Sequence, residues 1–255
     1  MSVDVVVVNY HTPDLLTNFI RSYEESRFEN CTLTIVDVEG NTSLINKEKS
    51  YNTYYITNNN VGYGAACNIG AECGKNDVIL LANSDTLLTS GLKECHDALM
   101  SRDDWGILGP RQVDENNNIT CAGIFGPYNA TINRGWHEPD VGQYQDVVDD
   151  CPYVNGSLFF IKRALWEELT NCPDYLSYSP KAVGAFLETP HYYEETYCCY
   201  HARYHGYKCV YYGLVTMTHL WHKSSPFGNP TEFQTVERSK SMYREACALH
   251  GIPHE

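Results

Sequence analysis

The sequence has no long apolar segment and no recognisable targeting signal. No apolar run approaches the roughly 20 residues that a membrane-spanning helix requires. The chain also does not begin with a basic region followed by an apolar stretch and a small-residue cleavage site, which is the pattern of a secretory signal. We therefore expect a protein with no transmembrane segment that is located in the cytoplasm.

Positive charge is scarce. The 18 lysine and arginine residues stand against 32 acidic residues, and the formal net charge is −14 with histidine neutral. Proteins that bind a nucleic-acid polymer usually carry a basic stripe, and this sequence has none. A nucleotide-sized ligand needs only local positive charge or a metal ion. The composition therefore argues against nucleic acids and anionic membranes as partners, but not against a nucleotide.

The eleven cysteines do not indicate a disulfide framework, because their number is odd and no secretory signal is present. We expect reduced, mostly buried thiols. The same argument predicts that the Asn-x-Ser/Thr triplets stay unglycosylated. These triplets begin at Asn30, Asn41, Asn118, Asn129 and Asn155.

The first half of the chain alternates predicted strands and helices. Strands are predicted over residues 3–8, 32–38, 54–57 and 77–82, with helices after Thr12 and over residues 65–73. This alternation predicts an α/β fold with a Rossmann-like, mostly parallel central sheet flanked by helices. Ligands of such sheets bind outside the carboxyl ends of the strands.

The second half is less regular. Residues 111–150 show no sustained period, and we interpret them as excursions over the active-site face. Order returns over residues 153–161, followed by predicted helices at 163–169 and around 194–205 and a strand at 208–212. Residues 226–255 contain one further predicted helix, at 231–250, and form a C-terminal helical extension.

Four segments, in this order, resemble the family 2 glycosyltransferases of the GT-A fold, closest to their rhamnosyltransferase-like members. They are residues 5–11 (VVVVNYH), 60–68 (NVGYGAACN) with 80–86 (LLANSDT), 154–163 (VNGSLFFIKR), and the stretch from 193–196 (YEET) to His219. The resemblance implies a GT-A domain over residues 1–225, with a nucleotide-binding half at 1–110 and an acceptor and catalytic half at 111–225.

The resemblance implies a metal site at Asp85, which follows a buried strand. Asp85 would bind Mn²⁺ or Mg²⁺, with His219 as second ligand and His222 as its competitor. A carboxylate with an imidazole favours Mn²⁺. Asn83 stands where the family usually has a first acid, so the metal should depend on the diphosphate of the donor. The alternative is that residues 83–85 form only an Asx-type turn.

The resemblance places the catalytic base at Glu195, with Glu194 adjacent. In inverting transferases such a carboxylate deprotonates the acceptor hydroxyl. Two positions depart from the family pattern: Tyr197 replaces a second acid and His201 replaces an arginine. The alternative is a solvated acidic helix start, which the helix dipole would stabilise.

The remaining donor-binding residues are also implied by the resemblance. Asp37 would contact the base or ribose, and Gly156 would lie close to the sugar. Helix-opening and loop residues would approach the nucleotide. These are Asn60, Gly62, Gly64 and Asn68, together with Asn83, Ser84 and Asp85 of the metal motif.

The pattern Cys198-Cys199-x-His201 with His205 could indicate zinc, but no Cys-x-x-Cys partner exists, and buried thiols are favoured.

The leading functional hypothesis is inverting sugar transfer from a UDP-, dTDP- or GDP-sugar to a hydroxyl of a glycan, lipid-linked or protein-linked acceptor. A catalytically impaired sugar-nucleotide or glycan-binding module is an alternative. A sugar nucleotidyltransferase would need a glycine-rich basic loop after the first strand, where residues 9–13 read NYHTP. The oligomeric state stays open.

Overall fold

The computed structural model describes residues 2–26, 30–40, 51–126, 131–221, 223 and 230–253. The sequence positions Asn41, Asn129 and His222 lie outside them. The strands are β1 (Val3–Asn9), β2 (Cys31–Val38), β3 (Thr53–Thr57), β4 (Val78–Asn83), β5 (Thr86–Leu87), β6 (Trp105–Val113), β7 (Ile119–Cys121), β8 (Ile124–Phe125), β9 (Ile132–Asn133), β10 (Val147–Cys151), β11 (Leu158–Lys162) and β12 (Lys208–His219). The helices are α1 (Pro13–Ser26), α2 (Tyr63–Glu72), α3 (Leu92–Met100), α4 (Arg163–Thr170), α5 (Pro173–Tyr178), α6 (Glu194–Tyr204) and α7 (Pro230–His250).

Ten of these strands form one sheet in the order β10-β12-β6-β11-β4-β1-β2-β3, with β5 added to β12 and β7 added to β6. The strands β3, β2, β1 and β4 are parallel, as are β12 and β6, while β11 runs antiparallel between β4 and β6. The predicted α/β sheet is confirmed. It is a mixed sheet because β11 enters between its two parallel parts.

Helices cover both faces of the sheet. Side chains of a strand point alternately to opposite faces, so Val5 and Val7 of β1 enter one core cluster while Val6 and Val8 enter the other. The first cluster contains α1 and α3, and the second contains α2, α4 and α6. The run of valines in β1 is therefore explained by burial on both sides.

Strand β6 was not predicted. It is buried along its whole length, yet its sequence WGILGPRQV contains two glycines, a proline and two long polar residues, which have low strand propensity. Burial and pairing with β11 and β12 override that propensity. The expectation of an irregular region from residue 111 was also too broad, since residues 111–113 end β6 and β10 lies within it. The predicted strand at 208–212 continues to His219.

A buried ion pair stabilises the amino end of the central strand β1. Asp4 is 1% exposed, and Arg163 donates to its Oδ2 over 2.8 Å. Arg163 also donates to the carbonyls of Ala71 and Asn76, and the backbone N–H of Asn76 donates to Asp4 Oδ2. This network joins β1, α2 and α4.

Helix α7 shares a core with the rest of the chain. Its residues Tyr243, Ala246 and Cys247 pack in one buried cluster with Tyr175 of α5 and Tyr197 of α6. The predicted C-terminal extension is therefore a helix that packs on the part of the chain that carries the predicted base.

All eleven cysteines are free thiols, nine of them buried, as the sequence predicted. None of the helices in the described ranges is long and apolar enough to cross a membrane.

Candidate active site

The two predicted metal ligands, Asp85 and His219, lie side by side. Asp85 stands between β4 and β5, and β5 pairs antiparallel with the end of β12, where Thr86 is opposite His219. The backbone N–H of Leu220 donates to the carbonyl of Asp85 over 2.8 Å. Asp85 Oδ1 and His219 Nε2 are 3.5 Å apart, and both side chains are buried. The strand pairing therefore brings together residues that are far apart in the sequence.

A hydrogen bond fixes the ring of His219. Its Nδ1 lies 3.2 Å from the amide oxygen of Gln112, and Ser157 donates its hydroxyl to the same oxygen over 2.8 Å. Because an amide oxygen only accepts hydrogen bonds, Nδ1 carries a proton, and Nε2 is the ring nitrogen that faces Asp85. The ring of Trp221 lies edge-on to the imidazole at 5.3 Å between centroids. The hydrogen bond to Gln112 thus orients Nε2 of His219 toward Asp85.

The donor set of Asp85 and His219 fits a divalent cation. Carboxylate and imidazole ligands bind at about 2.0–2.2 Å, which places neighbouring ligand atoms about 3.0–3.5 Å apart. The observed 3.5 Å agrees with this spacing. Among the described residues no third histidine, cysteine or acidic side chain joins the pair. Asn83, at the motif's first position, is half-buried and borders a cavity.

The two predicted catalytic carboxylates begin helix α6. Glu194 is buried and accepts a hydrogen bond from the Thr189 hydroxyl at 3.0 Å. Glu195 is partly exposed and lies against Gly156, where an added Cβ would be 3.1 Å from Glu195 Cγ. The two preceding residues, Tyr192 and Tyr193, both have positive φ angles of 69° and 73°. Such backbone strain is concentrated at functional sites.

Burial raises the pKa of both carboxyl groups, because removal from water disfavours the charged form. The negative charge of Glu195 raises the pKa of Glu194 further, whereas backbone hydrogen bonds at the start of α6 oppose the rise. A carboxylate with a raised pKa is a stronger base. Glu195 is the more accessible of the two to a substrate.

A cavity of about 270 Å³ opens at the carboxyl ends of β1, β2 and β4. The predicted donor residues Asn60, Gly62, Asn83 and Ser84 line it. The other lining residues are Val8, Tyr10, Thr12, Val38, Tyr63, Pro190, His191 and Thr235. The cavity is therefore where ligands of parallel α/β sheets bind.

A hydrogen-bond chain runs below this cavity. Tyr54 donates its hydroxyl to Asp37 Oδ2, and Asn9 Nδ2 donates to Asp37 Oδ1 over 2.7 Å. Thr12 donates to Asn9 Oδ1 over 2.9 Å, and its hydroxyl lies 2.9 Å from that of Ser84. Asp37 is fully buried. It fixes the strand ends around the cavity, and its predicted contact with a nucleotide stays a prediction.

Three predicted donor residues pack against the segment that precedes α6. A Cβ on Gly62, whose φ is +87°, would lie 2.9 Å from the carbonyl of Thr189, and one on Gly64 would lie 2.6 Å from the carbonyl of Leu187. The buried amide of Asn68 exchanges two hydrogen bonds with the backbone of Phe186, at 2.9 and 3.0 Å. Gly64 and Asn68 lie outside the cavity lining, and they position the segment that leads to Glu194.

The side chains of the two departures from the family pattern pack toward α5 and α7. Tyr197 is fully buried, and its hydroxyl is 2.6 Å from His250 Nδ1 on α7. His201 is also buried, and burial lowers its pKa to about 3. The substituted residues thus serve the packing of α7 and a histidine cluster. Cys198 and Cys199 lie in the core, as predicted.

Several residues of the site were missed by sequence reasoning. Tyr10 and Thr12 follow β1, so their position at a strand end was a usable signal. His191 and Thr235 line the cavity from the segment before α6 and from α7. Gln112 lies in the unpredicted β6, and no sequence signal could have indicated its hydrogen bond to His219.

Three solved structures share this fold. TarS from S. aureus in complex with UDP-GlcNAc has a TM-score of 0.60 and 14% identity, covering 95% of this chain and 66% of that chain. The mannosyltransferase PcManGT from Pyrobaculum calidifontis, in complex with GDP-Man and Mn²⁺, has a TM-score of 0.60 and 12% identity, covering 95% and 64%. GalNAc-T7 with UDP, GalNAc and Mn²⁺ has a TM-score of 0.63 and 16% identity, covering 95% and 50%. These similarities confirm the predicted GT-A fold.

The chain spans less than two thirds of the length of each of these three proteins. Comparison with curated protein sequences yields no match. The family model for Glycosyl transferase family 2 matches residues 4–170. The chain therefore belongs to glycosyl transferase family 2, as its motifs predicted.

Proposed function

We propose that the protein is an inverting, metal-assisted glycosyltransferase that moves a sugar from a nucleoside diphosphate sugar to an acceptor hydroxyl. One observation carries this proposal: the short segment Asn155–Ser157 contacts both halves of the site. Gly156 lies against Glu195, and the carbonyl of Ser157 accepts from the backbone N–H of Asn83 over 3.0 Å. The base and the metal motif thus adjoin one segment.

Asp85 and His219 would hold the cation, with the donor diphosphate completing its coordination. Their carboxylate and imidazole atoms favour Mn²⁺ over Mg²⁺. When bound, the ion would supply positive charge for the departing nucleoside diphosphate. Two of the similar structures contain Mn²⁺ with GDP-Man or with UDP and GalNAc, which supports the same cofactor class here.

The nucleotide would occupy the cavity at the strand ends. Tyr10 is 42% exposed there and offers a ring for stacking on a base. Asn60, Asn83 and Ser84 offer polar atoms to ribose and phosphate. The Thr12–Asn9–Asp37 chain holds this polar edge in place.

Glu195 would take the proton from the acceptor hydroxyl. The acceptor oxygen then bonds to the anomeric carbon as the carbon–oxygen bond to the diphosphate breaks, and single displacement inverts that carbon. The electron pair leaves with the diphosphate, and the proton stays on Glu195 until solvent accepts it. Glu194, held by Thr189, would keep Glu195 in place.

We propose residues 1–225 as the catalytic unit, with α7 of residues 226–255 completing the cavity wall through Thr235. We further propose a cytoplasmic location and a glycan or other hydroxyl-bearing acceptor. A catalytically impaired binding module is the second candidate, because Asn83 removes one acid of the metal motif.

A donor panel tests the proposal and separates these two candidates. The purified protein is incubated with UDP-, dTDP- and GDP-sugars, with and without Mn²⁺, and nucleotide release is measured. We expect slow, Mn²⁺-stimulated hydrolysis of one donor class. Tight binding of a sugar nucleotide without release under any condition, including added sugar acceptors, would establish the binding module instead.

A further inference from the structure

A second cluster of metal-ligating side chains lies away from the candidate active site. Cys172 stands between α4 and α5, while His201 and His205 lie one helical turn apart at the carboxyl end of α6. One ligand atom from each of the three residues lies within 4.8 Å of the other two. Within the described parts of the chain, no other group of three histidine, cysteine or acidic residues is arranged in this way.

The ring of His205 is oriented for ligation. Its Nδ1 lies 3.0 Å from Glu168 Oε1, and the hydroxyl of Tyr207 donates to Glu168 Oε2 over 3.0 Å. With Nδ1–H donating to the carboxylate, Nε2 keeps its lone pair. In zinc sites, a ligating histidine usually donates the N–H of its other ring nitrogen to a carboxylate, which fixes the orientation of the ring.

His201 is buried in a state that suits a metal. It is 1% exposed, and its Nδ1 has no hydrogen-bond partner among the described residues. An unsatisfied polar atom in a protein interior is costly and calls for a reason. A cation bound by this ring and its neighbours would supply one.

We propose that Cys172, His201 and His205 form a Zn²⁺ site, with a water molecule in the fourth position. A thiolate with two imidazoles is a zinc-type donor set, whereas Mn²⁺ prefers oxygen ligands. Around a tetrahedral zinc ion, ligand atoms lie about 3.3–3.8 Å apart. The ligand atoms of the cluster lie within 4.8 Å of one another, so binding needs them to approach by at most about 1.5 Å, which small side-chain rotations in the cluster can provide. The Cys172 thiol proton would pass to solvent on binding.

The ion would link two elements of the fold. Helix α6 carries Glu195 in its first turn, and His205 follows ten residues later, about 15 Å along the helix axis. A zinc ion would fasten the far end of this helix to the α4–α5 junction. Cys198 and Cys199, for which the sequence favoured buried thiols over zinc ligands, lie in the core between α6 and the sheet, as predicted.

Metal analysis tests the proposal. The wild type is loaded with excess Zn²⁺, dialysed against Mn²⁺-free buffer, and analysed by inductively coupled plasma mass spectrometry. About one zinc per chain is expected in the wild type, in Asp85→Asn and in Cys73→Ser, which alters an exposed thiol outside the cluster. The His205→Gln and Cys172→Ser variants should retain less than about a tenth of the zinc content of the wild type. Cobalt substitution should give a thiolate-to-metal charge-transfer absorption that Cys172→Ser loses.

Two results would overturn the proposal. One is a wild-type zinc content no higher than that of His205→Gln, with both proteins folded by circular dichroism. The other is loss of zinc in Asp85→Asn together with its retention in His205→Gln, which would place the ion at the active site. His205 is partly exposed, so His205→Gln decides the question even if Cys172→Ser fails to fold.

Discussion

His219 Nε2 lies 3.5 Å from Asp85 Oδ1, and the pair is set by the antiparallel pairing of β5 with the end of β12. Two protein ligands leave a divalent ion dependent on other oxygens for most of its coordination. The diphosphate of a sugar nucleotide can supply them. The structure thus favours a metal that binds together with the donor.

The first prediction concerns His219. In calorimetry, the wild type should bind Mn²⁺ weakly when no nucleotide is present. It should bind Mn²⁺ much more tightly when UDP, GDP or dTDP occupies the site. His219→Ala should weaken the nucleotide-dependent Mn²⁺ binding by about 100-fold or more, because loss of a ligand exceeds the 10- to 100-fold cost of losing its supporting partner. His137→Ala, an exposed histidine, is the matched control and should bind like the wild type. Unchanged Mn²⁺ affinity in His219→Ala would remove this residue from the site.

The second prediction concerns Gly156. An added Cβ would lie 3.1 Å from Glu195 Cγ, so Gly156→Ala should displace the Glu195 side chain by a few tenths of an ångström. A misplacement of 1 Å can cost about 100-fold in rate, so we expect kcat to fall about 10-fold. Donor binding should remain measurable by calorimetry. A Gly156→Ala enzyme with wild-type kcat would contradict the assignment of Glu195 as the base.

The third prediction concerns Glu195 itself. Glu195→Gln should lower kcat by about 10²- to 10⁴-fold, the usual contribution of a general base, while donor binding persists. Normal turnover by this variant would show that another group is the base.

The acid side of the rate profile follows from the same carboxyl group. Because burial raises the pKa of Glu195 above the ordinary value for glutamate, its base form is lost as pH falls through that raised pKa. The wild-type kcat/KM should therefore decline at a higher pH than an exposed glutamate would give. A rate that stays level down to the ordinary carboxyl range, about pH 4.3, would contradict this.

The fourth prediction concerns stability. Arg163→Met removes the partner of the buried Asp4 and should lower the free energy of unfolding by about 3–5 kcal/mol. Lys93→Met breaks an exposed ion pair with Asp97 and should change the free energy of unfolding by no more than about 0.5 kcal/mol. Urea denaturation of both variants measures the difference. Equal effects would mean that the Asp4–Arg163 pair does not fasten the sheet.

Sequence patterns predicted the elements whose local signals agree with their tertiary setting. The valines of β1 and the Thr12-Pro13 start of α1 are such cases. Strand β6 escaped prediction because burial and pairing, rather than propensity, make residues such as Pro110 and Arg111 extended. Local sequence patterns contain no information about burial or about pairing with distant strands.

The candidate site residues Asp85, His219 and Glu195 were proposed through the resemblance to a family, because their contacts join residues that are distant in the sequence. Their roles stay predictions. Asn68 and Gly64 were expected at the donor but pack on the segment before α6. The spacing of His201 and His205 was visible in the sequence, but Cys172 lies between α4 and α5, and no spacing rule could have joined it to them.

The proposed metal site depends most on Asp85. Nucleotide release from the preferred donor should be measured for the wild type and Asp85→Asn, each with Mn²⁺ and with a chelator. We predict Mn²⁺-dependent release by the wild type and a loss of about 100-fold or more in Asp85→Asn, since a bound cation contributes several kcal/mol to the transition state. Equal rates for the two proteins, or full wild-type activity in the chelator, would contradict the proposed metal site.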